Sequence, residues 1–96
     1  FITVKTGDTL NIGKCELVFV EMTMIHWPDS MMTFAKGPNV LFSNDAFGQH
    51  YSGASIFEDE VDGCEVWREA LKYFANILSP FTALIKKKID EVIKNK

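Results

Sequence analysis

Residues 15–45 read CELVFVEMTMIHWPDSMMTFAKGPNVLFSND and contain three apolar runs separated by turns. The first run, Cys15 to Ile25, predicts a buried strand that ends at or near His26, because Pro28 cannot donate to a strand ladder. The segment Lys36-Gly37-Pro38-Asn39 has turn composition. Two shorter strands are predicted on either side of this turn, at Met31–Phe34 and Val40–Ser43.

The flanking sequence predicts more strand before this stretch and helices after it. Apolar and polar residues alternate around Gly7-Asp8, so residues 1–13 predict a β-hairpin. Residues 46–65 show no sustained period and predict a long loop. Two helices follow over 66–94, the second with Ser79 as its N-cap and Pro80 in its first turn. The apolar stripe of the first helix is placed at Val66, Trp67, Ala70, Leu71, Phe74, Ile77 and Leu78.

This order of strands followed by helices indicates a single α+β domain over residues 1–96. The composition agrees, with 47% hydrophobic and 24% charged residues and a net charge of -3. Nucleic-acid binding has no support because there is no broad basic surface. The sequence contains no run of about 18 apolar residues, which is the length that predicts a membrane span. The sequence also lacks GxSxG, P-loop and dinucleotide-binding motifs, so serine hydrolase and nucleotide-binding functions have no support.

The two cysteines and the first residue bear on the context of the chain. Cys15 and Cys64 lack the close spacing of a zinc or iron–sulfur site. They are therefore expected to be reduced thiols in a cytoplasmic protein. Because position 1 is Phe rather than Met, the chain is expected to be an excised segment of a longer protein.

Two residues at predicted strand ends could carry chemistry, namely His26 and Asp45. The end of a strand is where a rigid sheet presents side chains to a site. A neutral imidazole and a carboxylate suit iron, manganese or zinc, and a carboxylate can bridge two cations. From the residues alone, a loop histidine with a satisfied ring and a turn-capping aspartate remain open as the alternative.

Two stretches resemble adjacent signature segments of the flavodiiron proteins, a family of oxygen and nitric oxide reductases. They are IHWPDSM at residues 25–31 and LFSNDAFG at residues 41–48. A third likeness joins FEDEVD at 57–62 to YFANIL at 73–78, which resemble the acidic loop of the family and the helix that follows it. The resemblance therefore extends in order over nearly the whole chain.

The resemblance implies an internal part of a metallo-β-lactamase-like αββα sandwich. It assigns His26 as a ligand of one iron and Asp45 as a carboxylate that bridges both irons. The parent protein would be a homo-oligomeric oxidoreductase with a diiron centre, and FMN would be bound on a separate domain. The remainder of the parent chain would be the partner of this segment, which is not expected to bind a cofactor tightly.

Other polar and aromatic residues near these motifs are given simpler interpretations. His50 is interpreted as an exposed loop histidine without a ligand role, and Asp29 as a turn cap. Trp27 and Phe47 could line the diiron pocket, although packing is the simpler role for an aromatic ring. The acidic run at 58–62 lacks the pattern of a calcium loop and is interpreted as solvated.

The remaining ligands of the family are missing from these residues. The family uses an HxExDH-like segment upstream and a further histidine downstream, and neither occurs here. Two ligands would hold iron weakly, so the segment alone is not expected to be active. Two alternatives remain open at this point, a zinc hydrolase of the same fold and a structural or interaction module.

Overall fold

A computed structural model describes residues 1–46 and 48–94, and it shows four antiparallel strands followed by helices. The strands lie side by side in chain order, so each pairs with the next. They are β1 (Thr9–Asn11), β2 (Glu16–Glu21), β3 (Met31–Lys36) and β4 (Val40–Phe42). After a 3₁₀ turn at Glu58–Glu60 come α1 (Gly63–Tyr73), a π-helical turn (Phe74–Leu78), a 3₁₀ turn (Ser79–Phe81) and α2 (Thr82–Lys94). The predicted α+β class is confirmed.

The first hairpin differs from the prediction. Residues 1–5 form no strand, and the partner of β1 is β2, with Leu10 opposite Leu17. The prediction of a β-hairpin with both of its strands within residues 1–13 was therefore wrong. The turn at Gly7, with φ of +90°, leads the chain alongside β2, where the Gly7 amide donates to the Phe19 carbonyl at 2.9 Å. Ladder bonds to a long apolar strand satisfy more backbone groups than a short local hairpin would.

The central strand β2 has apolar side chains on both faces of the sheet. All six of its residues are half-buried. Directly opposed residues of neighbouring strands share a face, so Val20 and Met32 lie on the inner face. That face packs against the helices. The opposite face, called the outer sheet face below, carries Leu10, Leu17, Phe19, Ala35, Val40 and Phe42. A sheet that is apolar on both sides is typical of one covered on both sides.

The core lies between the inner sheet face and the helices. Ile25 is fully buried, and Met22 and Leu78 are each 1% exposed. The same cluster includes Met32, Ala46, Tyr73 and Ile85. This core joins the segment that follows β2 to the C-terminal end of α1, which is where the candidate site lies.

The helical region is continuous across the predicted break at Ser79-Pro80. Ser79 has helical φ and ψ of -55° and -35°, so its expected role as an N-cap was wrong. Its amide donates to the Phe74 carbonyl, and the Thr82 amide donates to the Ser79 carbonyl. The hydrogen-bond ladder thus changes spacing around Pro80, which has no amide proton to contribute. No helix in residues 1–46 and 48–94 is long and apolar enough to cross a membrane.

The buried face of α1 is rotated relative to the predicted stripe. Trp67 and Leu71 were assigned to the buried side, but they are 67% and 51% exposed. Val66 is buried as predicted, at 6% exposed, and Tyr73, which the predicted stripe left out, is buried at 9% exposed. The sequence pattern assigned too wide a stripe to this helix, because apolar residues occupy both faces. The rotation places Tyr73 against the segments that follow β2 and β4.

Candidate metal centre

His26 lies in a compact turn between β2 and β3. The predicted strand end at His26 was wrong, because β2 stops at Glu21. The chain leaves the sheet where Met24 adopts a left-handed φ of 65°. Two backbone hydrogen bonds then close the turn. The Ile25 amide donates to the Met22 carbonyl at 2.8 Å, and the Met24 amide donates to the Trp27 carbonyl at 2.7 Å.

Ser30 ties the far end of this turn together. Its side chain is the buried polar group of the core, and the residue is 5% exposed. The Trp27 amide donates to its Oγ at 3.3 Å, and the Met22 amide donates to its carbonyl at 2.8 Å. The position of His26 therefore depends on a hydrogen-bonded frame and on the burial of Ile25 beside it.

Replacing Ser30 by alanine tests this frame. The substitution leaves the Trp27 amide without its acceptor, and an unsatisfied group of this kind costs about 1–3 kcal/mol of unfolding free energy. We expect Ser30→Ala to lower stability by roughly this amount and to speed amide hydrogen exchange at Trp27. The exposed Ser52→Ala is the matched control. Equal exchange rates at Trp27 in both variants would show that the side chain of Ser30 does not hold the turn.

The imidazole of His26 has a nitrogen available to a ligand. The ring is half-buried, and its Nδ1 atom is buried without a hydrogen-bond partner in the described part of the chain. Buried polar atoms are nearly always satisfied in folded proteins, so each exception needs a chemical reason. A neutral imidazole nitrogen is a common metal ligand. This atom therefore fits the ligand role that the sequence predicted.

Asp45 lies in the turn that follows β4, and the turn is fixed on both sides. The strand ends at Phe42, one residue earlier than predicted. Asn44 has a positive φ of 55°, and the Gly48 amide donates to the Asp45 carbonyl at 3.2 Å. Ala46 is 2% exposed and anchors the turn in the core. Asp45 is therefore an exposed residue whose position is held by its buried neighbour Ala46.

Tyr73 connects the His26 and Asp45 segments. Its ring meets that of His26 edge-to-face, with centroids 6.2 Å apart at 83°. A Cβ placed on Gly48 would lie 3.4 Å from Cζ of Tyr73, within van der Waals contact, so the phenol end lies against the Gly48 backbone. The pKa of Tyr73 is raised because burial disfavours the phenolate, and the charge of Asp45 adds to this effect. The phenol end thus lies beside the Asp45 turn.

Sequence reasoning missed Tyr73 as a site residue. A usable signal was the spacing of Val66, Ala70, Tyr73 and Ile77, which places a hydroxyl-bearing ring on one helical stripe. A polar group on a stripe that enters the core requires a partner or a function. That signal was hidden because Trp67 and Leu71 form a second apolar stripe.

The other residues interpreted in the sequence analysis are His50, Trp27, Asp29 and Phe47. His50 is exposed, as interpreted, but its ring packs edge-to-face on Tyr73 with centroids 5.2 Å apart. Trp27 is 59% exposed, and its ring centroid lies 5.8 Å from that of His26. Asp29 is exposed in the turn. Phe47 lies outside the described residues.

The acidic run contributes to the helix rather than to the cluster. Glu58–Glu60 forms the 3₁₀ turn, and Asp62 is the N-cap of α1. Its Oδ1 accepts from the Cys64 amide at 2.8 Å. Within residues 1–46 and 48–94, no group of three or more His, Cys, Asp or Glu side chains could hold a metal ion. Neither His26 nor Asp45 therefore belongs to such a group within the described residues.

Comparison with known proteins shows which family the chain resembles. No protein-family model matches the sequence. The anaerobic nitric oxide reductase flavorubredoxin of Vibrio vulnificus is 58% identical over 94 residues, which cover 97% of this chain and 19% of that protein. A flavorubredoxin homolog of Escherichia coli O157:H7 is 56% identical over 97% of this chain and 23% of its own length. The chain belongs to the flavodiiron proteins.

Solved structures agree with this assignment. The flavodiiron protein of Giardia intestinalis is 39% identical and superposes with a TM-score of 0.85. Rubredoxin oxygen:oxidoreductase of Desulfovibrio gigas is 36% identical, with a TM-score of 0.86. Each match covers 97% of this chain and 23% of the solved one. This flavodiiron segment thus spans about a fifth of its relatives, and its fold is part of a metallo-β-lactamase-like domain. The zinc hydrolase alternative is not favoured.

Proposed function

We propose that the protein containing this chain reduces nitric oxide or dioxygen at a diiron centre, with His26 and Asp45 as two of the ligands. The observation that carries the proposal is the buried, unpartnered Nδ1 of His26, held in the same cluster as the Asp45 turn by Tyr73. The names of the relatives support the reaction class, since one is a nitric oxide reductase and another an oxygen oxidoreductase.

The donor set fits iron. An imidazole nitrogen suits iron and zinc alike, and a carboxylate oxygen adds negative charge that offsets two cations. Two ferrous ions, when bound, supply electrons for the reduction. His26, through its Nδ1 atom, and Asp45, through its carboxylate, would be two of the groups that hold the irons. The remaining ligands would come from the rest of the parent chain.

Tyr73 would assist from beside the ligands. Burial and the charge of Asp45 both raise the pKa of Tyr73 above that of an ordinary phenol, so the hydroxyl keeps its proton at neutral pH. It can therefore donate a hydrogen bond from Oη to an oxygen or nitrogen atom of the substrate. The buried ring also excludes water on this side of the cluster.

Electron supply and cellular context belong to the same proposal. FMN on a separate domain would deliver electrons to the irons, since a flavin can pass electrons singly. The parent would be cytoplasmic, in agreement with the free thiols of Cys15 and Cys64. It would also be a homo-oligomer, as the resemblance to the family implies.

The test uses the full-length protein, reconstituted anaerobically with ferrous iron and FMN. We expect retention of two iron ions per chain after desalting, together with consumption of nitric oxide or dioxygen by the reduced flavoprotein. The ratio of the two rates gives the preferred substrate. Zinc retention with β-lactam hydrolysis, and no consumption of either gas, would overturn the proposal in favour of the hydrolase.

A further inference from the structure

His50 is a residue for which neither the sequence motifs nor the ligand set provides a role. It follows the Asp45–Gly48 turn, whose backbone bond from the Gly48 amide to the Asp45 carbonyl measures 3.2 Å. Its ring packs on Tyr73 at a centroid distance of 5.2 Å and an interplanar angle of 84°. Edge-to-face packing at this distance is an attractive and orientation-dependent contact. The segment that contains Asp45 therefore also contains the His50 ring, which packs on Tyr73.

The position of the Tyr73 hydroxyl depends on how the ring is packed. Within residues 1–46 and 48–94, no hydrogen bond holds this hydroxyl, so neighbouring groups alone set its direction. Besides the core cluster in which the ring is buried, three groups lie against it. His26 meets it edge-to-face at 6.2 Å, Gly48 lies against the phenol end, and His50 supplies the second imidazole contact. His50 is the one of these three that is exposed, since Gly48 and His26 are half-buried.

We propose that His50 is a positioning residue that holds the Tyr73 ring so that its hydroxyl faces the site formed by His26 and Asp45. The inference rests on the proposed function, because it assigns Tyr73 a task at that site. The ring of His50 acts through shape and packing, and it does not touch the ligands in any contact that the structure shows. A ring of similar shape without nitrogen should therefore serve in its place.

The test compares His50→Ala with His50→Phe in the full-length protein, with Ser52→Ala as a control in the same loop. Ser52 is exposed and makes no hydrogen bond in the described structure. The first readout is the ¹³Cζ resonance of Tyr73 in metal-free protein labelled at tyrosine, assigned with Tyr73→Phe. We expect His50→Ala to shift or broaden this resonance, and His50→Phe to restore it.

The second readout is steady-state kinetics of the iron-loaded protein. A displacement of about 1 Å at a reacting group can cost up to about 10²-fold in rate. For an indirect contact we expect His50→Ala to lower kcat about tenfold, while KM and iron content stay near those of the unsubstituted protein. His50→Phe should recover most of kcat, and Ser52→Ala should change neither readout.

Two results would overturn the proposal. One is an unchanged Tyr73 resonance and kcat in His50→Ala, which would make the contact incidental. The other is a His50→Phe variant as slow as His50→Ala with a restored Tyr73 resonance, which would assign His50 a proton-transfer task instead. If the unsubstituted protein binds no iron, the proposed function itself fails, and the resonance comparison still decides whether His50 positions Tyr73.

Discussion

Alanine in place of His26 or Asp45 is expected to remove iron from the full-length protein and to abolish reduction of nitric oxide and dioxygen. Loss of a residue that only supports a ligand costs about 10–100-fold in metal affinity, so loss of a ligand should cost at least about 100-fold. Iron per chain after desalting, measured by metal analysis, tests the expectation. The fold should persist, because Asp45 is exposed and His26 is half-buried.

The chain offers a matched control for each ligand. Asp29→Ala removes an exposed carboxylate from the turn that carries His26, and His50→Ala removes an imidazole beside Tyr73. Both should retain iron at the level of the unsubstituted protein. If the ligand variants keep as much iron as these controls, His26 and Asp45 are not ligands and the proposed function loses its structural basis.

Replacing Ile25 by alanine should produce a large loss of stability. Ile25 is fully buried at the centre of the core. Truncating a buried isoleucine to alanine typically costs about 2–5 kcal/mol, because apolar contacts are lost and a cavity remains. Urea unfolding of the full-length protein, followed by tryptophan fluorescence, gives the change.

The same substitution at an exposed isoleucine separates burial from residue type. Ile56 is 93% exposed, so Ile56→Ala should alter stability by no more than about 0.5 kcal/mol. Equal shifts of the unfolding midpoint in the two variants would contradict the placement of Ile25 in the core. A selective loss in Ile25→Ala should also weaken iron binding, since His26 is the next residue along the chain.

The existence of β2, β3 and β4 was predictable because local signals and tertiary packing agree. Apolar runs bounded by turn residues gave β3 and β4 to within two residues, whereas β2 ends four residues before the predicted Ile25. The turn at residues 36–39 was equally clear, since Gly37 and Asn39 both adopt positive φ. The pairing of β1 was not predictable, because alternation specifies a strand without naming its partner.

The sequence named His26 and Asp45 as candidate site residues but gave neither their geometry nor the place of Tyr73 beside them. The apolar run placed His26 near the end of a strand, yet β2 ends at Glu21 and a turn that contains Met24 with positive φ precedes His26. The position of Tyr73 could not be read from the pattern either. Because apolar residues lie on two faces of α1, the predicted buried stripe was centred on the wrong face. Packing against Ile25 and Ala46 decides which face is buried.

The outer sheet face has a consequence for how the parent protein is made. During synthesis this sheet can form before the later parts of the chain leave the ribosome, while β1 and β4 remain open edges. Phe42 at one edge is 59% exposed. Unpaired edges beside an apolar surface invite pairing with strands of other nascent chains. Packing of other parts of the parent chain on this face and along these edges would therefore limit such contacts between chains.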